Sequence, residues 1–185
     1  MQDNANPLPA DALARARAAL AHLTDPEIPV VTLEELGILR EVRVGAGGLE
    51  VVITPTYNGC PAMGQIEDDV QAALAAHGLD GRVVTQLAPA WTTDWMSDAA
   101  RDKLRAWGIA PPHRSKAGAE ASPVLRFVRG AAQSAAVACP QCGSSNTTET
   151  SHFGSTACKA LYRCLDCLEP FDYFKPCLLY TSRCV

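Results

Sequence analysis

Residues 139–167 read CPQCGSSNTTETSHFGSTACKALYRCLDC, and this stretch decides the fold of the C-terminal part of the chain. It begins and ends with a Cys-x-x-Cys pair, and each pair can form a tight turn that directs two sulfurs at one metal ion. Gly143 follows the first pair and gives the backbone the freedom that such a turn requires. The pattern predicts a zinc ribbon over residues 137–176. Its predicted Zn²⁺ ligands are Cys139, Cys142, Cys164 and Cys167.

We expect this zinc ion to be structural. Four thiolates close the coordination sphere and leave no position for a catalytic water. A unit of about 40 residues buries too little apolar surface to fold alone, so the metal supplies the missing stability. The same stretch holds a fifth cysteine, Cys158, which the four-ligand count does not need. It is either a buried packing thiol or a functional one, and the spacing does not decide between the two.

The sequence before the ribbon alternates helical and extended patterns. Apolar residues recur at helical spacing over residues 11–23, whereas residues 38–44 alternate apolar and polar side chains as a half-buried strand does. Pro26 and Pro29 end the first helix, and no strand is predicted around them. The full pattern predicts helices over residues 11–23, 63–77 and 97–107, and strands over residues 38–44, 49–54 and 82–87. This α-β-β-α-β-α order predicts an α+β domain over residues 1–112, with helices on one face of a small sheet and a core separate from the ribbon.

A cysteine precedes the second predicted helix. Cys60 stands directly before Pro61, a residue well suited to the first helical position. The sulfur is therefore predicted to lie over the N-terminal end of the helix, where free amides and the helix dipole favour a thiolate. The alternative is a small buried residue that caps the helix. Asp25 and Glu27 either line the same site or only cap a turn.

Composition and charge narrow the function classes. The N-terminus lacks the pattern of a signal peptide and no apolar run is long enough for a membrane span, so we expect a cytoplasmic protein without a membrane partner. Thiols stay reduced there, and the eight cysteines indicate metal or redox chemistry. Residues 1–112 carry 8 Lys and Arg against 15 Asp and Glu, and residues 113–185 carry 8 against 5. This balance argues against a nucleic-acid partner.

Several stretches together carry a family resemblance. DPEIPVVTLEELGILREV, TPTYNGCPAM and APAWTTDWMSD resemble the MIP18-type domain of iron–sulfur assembly proteins. With CPQCG, FGSTACKALYRC and EPFDYFK after them, the chain resembles the D-protein family of phenylacetate degradation from about residue 12 to residue 175. Asp25, Glu27, Thr54 and Cys60 match the assembly-domain motif, and Cys158 matches the GST-x-CKA element of the family.

The resemblance implies a non-catalytic accessory component of the multicomponent phenylacetyl-CoA epoxidase. Its partners would be the oxygenase and reductase subunits, whose di-iron or iron–sulfur centres it would mature or maintain. The expected cofactor is structural Zn²⁺. A transient iron ion or iron–sulfur cluster is compatible with the resemblance, which does not decide whether this chain carries one. The alternatives are a stoichiometric structural subunit of that epoxidase and a nucleic-acid-binding zinc-ribbon protein, which the charge balance disfavours.

Two further segments complete the predicted organisation. Residues 113–136 have the composition of a linker, within which VLRFVRG (124–130) is compatible with one more strand. Residues 177–185 read CLLYTSRCV and depart from the family pattern, which stops shortly after EPFDYFK. One choice of codons for them reproduces a transposon mosaic end used in sequencing libraries. We therefore predict a sequencing-adaptor scar and assign no function to Cys177 or Cys184.

Overall fold

Three α-helices, one short 3₁₀-helix (Thr93–Trp95) and three sheets form the regular structure of a computed structural model, which describes residues 11–45, 47–57, 59–114 and 136–176. The strand considered at residues 124–130 and the predicted scar lie outside the described residues. None of the described helices is long and apolar enough to cross a membrane. The α-helices are α1 (Ala12–Leu20), α2 (Met63–Ala76) and α3 (Asp98–Ala106). The strands are β1 (Thr24–Asp25), β2 (Ile28–Thr32), β3 (Leu39–Gly45), β4 (Gly48–Ile53), β5 (Gly81–Thr85), β6 (Ile109–Ala110), β7 (Thr147–Ser151), β8 (Lys159–Cys164) and β9 (Pro170–Phe174).

The central sheet has the strand order β3-β4-β5. Strands β3 and β4 form an antiparallel hairpin, and β5 lies parallel to β4 after the α2 crossover. The alternate β4 residues Leu49, Val51 and Ile53 join the core that α1 and α2 cover. In α2 the buried stripe is Ile66, Val70 and Leu74, at helical spacing. The predicted α+β class, with helices on one face of a small sheet, is confirmed.

A short hairpin forms where no strand was predicted. Strands β1 and β2 pair antiparallel, with Thr24 opposite Thr32 and Asp25 opposite Ile28. Proline is compatible with this arrangement because a two-stranded hairpin leaves unpaired edges, where a missing N–H costs nothing. The first helix ends at Leu20, before either proline, and the prolines do not prevent a strand from forming. Helix α3 packs against β2.

The ribbon sheet includes a strand from the other side of the linker. Its order is β6-β9-β8-β7, in which β7, β8 and β9 are antiparallel neighbours. Strand β6 pairs parallel with β9 through Ile109 opposite Asp172 and Ala110 opposite Tyr173. A two-residue strand has no periodicity to read, so the sequence did not predict it. The boundaries at residues 112 and 137 stay a prediction.

The ribbon also places side chains in the hydrophobic core of the first part of the chain, a contact that we call the shared core. Phe174 of β9 is 2% exposed and belongs to the same buried cluster as α1, α2 and the central sheet. Its ring centroid lies 6.1 Å from that of Trp91, whose indole N–H donates a hydrogen bond of 2.9 Å to the Leu36 carbonyl. Cys158 is buried in the same cluster. The ribbon also has a buried cluster of its own, formed by Ala110, Val137, Cys139, Ala160, Tyr162, Cys164, Phe171 and Tyr173. The expected separation of the two cores is therefore incomplete, because Phe174 and Cys158 lie in the first core.

This shared core yields a stability prediction. Phe174→Ala should lower the free energy of unfolding by about 3–5 kcal/mol, the usual cost of emptying a fully buried Phe site. Urea unfolding followed by circular dichroism and by tryptophan fluorescence should then shift together, because both parts lose the same contact. The matched control is Phe153→Ala, which removes a half-exposed ring in contact with Lys175 and should cost about 1 kcal/mol or less. Equal costs for the two variants would contradict the shared core.

Candidate functional site

The four predicted zinc ligands converge on one point. The Sγ atoms of Cys139 and Cys167 are 3.7 Å apart, and those of Cys142 and Cys164 are 3.5 Å apart. All four sulfurs lie within 4.8 Å of one another, and they form the one such cluster of three or more His, Cys, Asp or Glu side chains among the described residues. Sulfurs bound at about 2.3 Å to a tetrahedral ion stand roughly 3.8 Å apart, so this spacing fits a four-coordinate metal site.

Each Cys-x-x-Cys pair lies on a tight turn. In the first turn the Gly143 N–H donates to the Cys139 carbonyl at 2.9 Å, and Gly143 has a φ of +76°. In the second turn the Cys164 N–H donates to the Glu169 carbonyl at 3.0 Å, and Leu168 has a φ of +66°. A left-handed conformation costs a non-glycine residue roughly 1–2 kcal/mol. The second turn accepts that cost at Leu168, a position that the sequence pattern did not single out.

Hydrogen bonds connect the two turns and prepare the sulfurs. The Asp166 carboxylate accepts hydrogen bonds from the Ser144 hydroxyl and, at 2.7 Å, from the Asn146 side-chain amide. These bonds hold the pKa of Asp166 below its ordinary value, so the carboxylate stays ionised. The backbone N–H of Cys167 is the main cause that lowers the pKa of Cys164 to about 7, which favours the thiolate that a metal binds. At Cys142 and Cys167 a backbone N–H group acts in the same direction, but neighbouring sulfurs and burial outweigh it, and both of these thiols have a raised pKa.

A second group of ligating side chains lines a small pocket where the ribbon meets the first part of the chain. Asp25 and Glu27 come from the β1–β2 hairpin, Cys60 from the loop before α2, and Cys158 from the position before β8. Apolar side chains, Phe174 among them, form much of the remaining wall. The cavity volume is about 10 Å³, close to the space that one water molecule needs. The fold thus brings both candidate functional thiols to one place.

Cys60 lies in this pocket with a thiol that is harder to ionise than predicted. Burial is the largest cause that raises its pKa, and Asp25 and Glu27 raise it further. The backbone N–H of Ala62 and a hydrogen bond from Tyr57 lower it by less. The predicted stabilisation of the thiolate is wrong for a physical reason: α2 begins at Met63, so Cys60 precedes the helix, and desolvation outweighs the nearby amides.

Cys158 is a buried thiol that, unlike Cys60, follows the predicted linker in sequence. It is 8% exposed, and burial is the main cause that raises its pKa to about 11. The Thr156 hydroxyl oxygen lies 3.0 Å from its sulfur and lowers the pKa, whereas Glu27 and Asp25 raise it. The same two carboxylates therefore act on both thiols. The burial of Cys158 agrees with its interpretation as a packing residue. Its place in the pocket is also compatible with a functional role, which stays a prediction.

Asp25 fulfils both interpretations that the sequence left open. Its Oδ1 accepts hydrogen bonds from the backbone N–H groups of Glu27 at 2.9 Å and Ile28 at 3.0 Å, so it caps the turn of the hairpin. It also lines the pocket, where burial raises the pKa of its carboxyl group. Thr54 is fully buried but does not line the pocket, and its motif role stays a prediction.

Two residues near the thiols were not found from the sequence. Tyr57 is 8% exposed and hydrogen-bonds to Cys60, and burial raises the pKa of its hydroxyl group. Its place three residues before that cysteine was the available signal. Lys159 follows Cys158 and is 6% exposed, with its Nζ 3.8 Å from an Asp172 carboxylate oxygen. No local pattern announces a buried lysine, because its partner comes from a neighbouring strand.

Comparisons with known proteins match both parts of the chain. The family model described as the PaaD zinc beta ribbon domain matches residues 126–175, and the one described as iron-sulfur cluster assembly protein matches residues 13–86. The chain is 46% identical over 159 residues to the D component of the putative 1,2-phenylacetyl-CoA epoxidase of Escherichia coli (strain K12), a match that covers 85% of this chain and 89% of that protein. The chain belongs to the D-protein family of phenylacetyl-CoA epoxidase.

Shorter proteins match only part of this D-protein family member. A Fe-S protein maturation auxiliary factor of Porphyromonas gingivalis is 38% identical over 83 residues, which is 43% of this chain and 78% of that protein. Among solved structures, a domain of unknown function, DUF59, from Bacillus anthracis is 28% identical and covers 50% of this chain and 91% of its own, with a TM-score of 0.46.

The geometry of the four-cysteine cluster yields a prediction for this D-protein family member. Cys142→Ser or Cys167→Ser should release the bound metal, because a hydroxyl group is a poor ligand in a thiolate site. Atomic absorption on the purified variants should show a clear loss of zinc. Cys158→Ser is the matched control, since it removes a thiol outside the cluster and should keep the zinc. Full zinc content in both ligand variants would rule out the four-ligand assignment.

The raised pKa of Cys60 predicts slow alkylation. At pH 8 its reaction with iodoacetamide, followed by peptide mass spectrometry, should be slower than that of a free peptide with the same sequence, because less thiolate is present. Tyr57→Phe removes a hydrogen bond that lowers this pKa and should slow the reaction further. A Cys60 that reacts faster than the peptide would contradict the direction of the shift.

Proposed function

We propose that this protein is a non-catalytic accessory factor that matures or maintains the iron-containing centres of a phenylacetyl-CoA epoxidase in the cytoplasm. Its partners are the oxygenase and reductase subunits, and iron or an iron–sulfur cluster is its cargo. The observation that carries the proposal is the pocket in which Cys60 lies beside the carboxylates of Asp25 and Glu27. Thiolate and carboxylate are ligands for iron, and they come from the segment that matches the iron–sulfur cluster assembly family.

The ribbon has a different part in this proposal. Its metal is Zn²⁺, and four thiolates in a tetrahedral arrangement leave no position for a substrate or a water. The ion would stabilise the β7–β9 sheet and the docking of β9 on β6. Chemistry with the cargo would therefore take place at the pocket, and the zinc ion would keep the pocket's second wall in position.

A stoichiometric structural subunit is the second candidate function. The relative in Escherichia coli is named as one of the subunits of the epoxidase, and this favours a lasting place in the complex. The two proposals differ in stoichiometry. A structural subunit copurifies with the oxygenase in a fixed ratio during turnover, whereas a maturation factor is released once the metal centres are loaded.

Cys60→Ser tests the proposed function in cells. Serine has nearly the same size as cysteine, so the fold should persist, but its hydroxyl group stays protonated and binds soft metals poorly. Epoxidase components from cells with this variant should be present but deficient in iron, and growth on phenylacetate should fail. The measurement is the iron content of the purified oxygenase and reductase beside those from wild-type cells.

The control for this experiment is the same substitution at a cysteine without an assigned role. Cys177→Ser, in the segment predicted to be an adaptor scar, should leave iron content and growth unchanged. Full iron loading and normal epoxidase activity in Cys60→Ser cells would remove Cys60 from the function and leave it as a residue that packs before α2.

A further inference from the structure

The residues that line the pocket lead to a further inference. It rests on the proposed function and names the ligands and the ion of the cargo site. We propose that Cys60 and Cys158 together form a two-thiol site for a single ferrous ion, with the carboxylates of Asp25 and Glu27 as its oxygen ligands. The ribbon supplies one of the two sulfurs. It is thus part of the cargo site as well as a stabilising unit.

Placement of the four side chains is the first argument. They come from three segments far apart in sequence, and the fold brings them to the wall of one cavity whose other lining is mainly apolar. A mostly apolar pocket with a few convergent polar groups is the usual form of a binding site. Hydrogen bonds also hold two of the ligands in place. The Asp25 carboxylate accepts hydrogen bonds from two backbone N–H groups, and the Thr156 hydroxyl oxygen lies 3.0 Å from the Cys158 sulfur.

Strand register holds Cys158 in this place. Lys159 is paired with Phe174 in the β8–β9 ladder, and the Lys175 N–H donates a hydrogen bond of 2.8 Å to the Cys158 carbonyl. Phe174 is itself locked in the shared core against Trp91. The position of the Cys158 thiol therefore follows from the insertion of the ribbon into the first core, and a ribbon that loses its zinc should lose this thiol from the pocket.

The size and chemistry of the pocket select the ligand. A cavity of about 10 Å³ has room for one ion, whereas a two-iron cluster with its bridging sulfides is several times larger. Two sulfurs with two carboxylates suit a first-row transition-metal ion, since Mg²⁺ and Ca²⁺ prefer oxygen ligands alone. Iron is the ion that the proposed function supplies.

The pocket differs from the ribbon cluster in its degree of preorganisation. Among the described residues, the ribbon cysteines are the one group of three or more ligand atoms within 4.8 Å of one another, so no three ligand atoms of the pocket are all that close together. Binding an ion would require side-chain rotation against the hydrogen bonds that hold Asp25 and Cys158. This cost weakens binding and suits an ion that is passed on, whereas the preformed ribbon cluster suits an ion that stays.

The test uses the full zinc-loaded chain with Fe²⁺ alone under anaerobic conditions. In equilibrium dialysis, wild-type protein should take up about one iron per chain in addition to its zinc, and failure of the wild type to take up Fe²⁺ would overturn the site. Cys60→Ser and Cys158→Ser should each weaken Fe²⁺ binding by at least about 10-fold while the zinc is kept, since each removes one soft ligand. Ile38→Val is the matched control: it changes the lining without removing a ligand and should bind Fe²⁺ as the wild type does.

The outcomes separate this site from the proposed function. Normal Fe²⁺ binding by Cys158→Ser together with loss in Cys60→Ser would overturn the two-thiol site and leave the function of Cys60 intact. Normal binding by both variants, or uptake of a reconstituted cluster instead of one ion, would also overturn it. Zinc loss from Cys158→Ser would assign that thiol to the ribbon fold and overturn the proposal. The iron content of the epoxidase in Cys60→Ser cells decides the proposed function independently.

Discussion

Contact between Phe174 and Trp91 in the core is the constraint on which the rest of the structure depends. Phe174 is the last residue of β9, and β9 pairs with β8 on one side and with β6, from the first part of the chain, on the other. Burial of such a ring contributes about 1.5–3 kcal/mol, and the ribbon cannot separate without exposing it. Because Lys159 is in register with Phe174, the same contact fixes Cys158. One aromatic side chain thus determines where a thiol of the ribbon meets a thiol of the first domain.

The pKa of a cysteine thiol in this chain depends on where the residue lies, as Cys164 of the ribbon cluster and Cys158 of the pocket show. In the ribbon, a backbone N–H group directed at Cys164 lowers its pKa to about 7. In the pocket, desolvation raises the pKa of Cys158 to about 11, and nearby carboxylates act in the same direction. The four ribbon sulfurs already converge on one point, so this cluster is suited to hold an ion permanently. The pocket thiols keep their protons until a cation replaces them, as expected of a site that is not always filled.

The sequence predicts local features of this protein well and non-local ones poorly. Some features depend only on neighbours within a few residues and can be predicted from the sequence: the Cys-x-x-Cys pairs, Gly143 and the helical stripe of α2. Strand β6 and the shared core depend on contacts between segments on opposite sides of the linker. The sign of the Cys60 pKa shift was missed for the same reason. Its local position before a helix suggested a thiolate, whereas its burial arises from tertiary packing.

The pocket lined by Cys60 and Cys158 offers a physical reason why an assembly-type domain and a ribbon occur in one chain. The alignment with the shorter maturation factor spans 83 residues, less than the interval between Cys60 and Cys158, so it cannot contain both thiols. In this chain the second sulfur, that of Cys158, belongs to the ribbon, which we expect to fold only around its own metal. A chain that lacked ribbon zinc would present Cys60 without its partner. Zinc loading would then precede iron handling, because the structural ion completes the wall against which the cargo site forms.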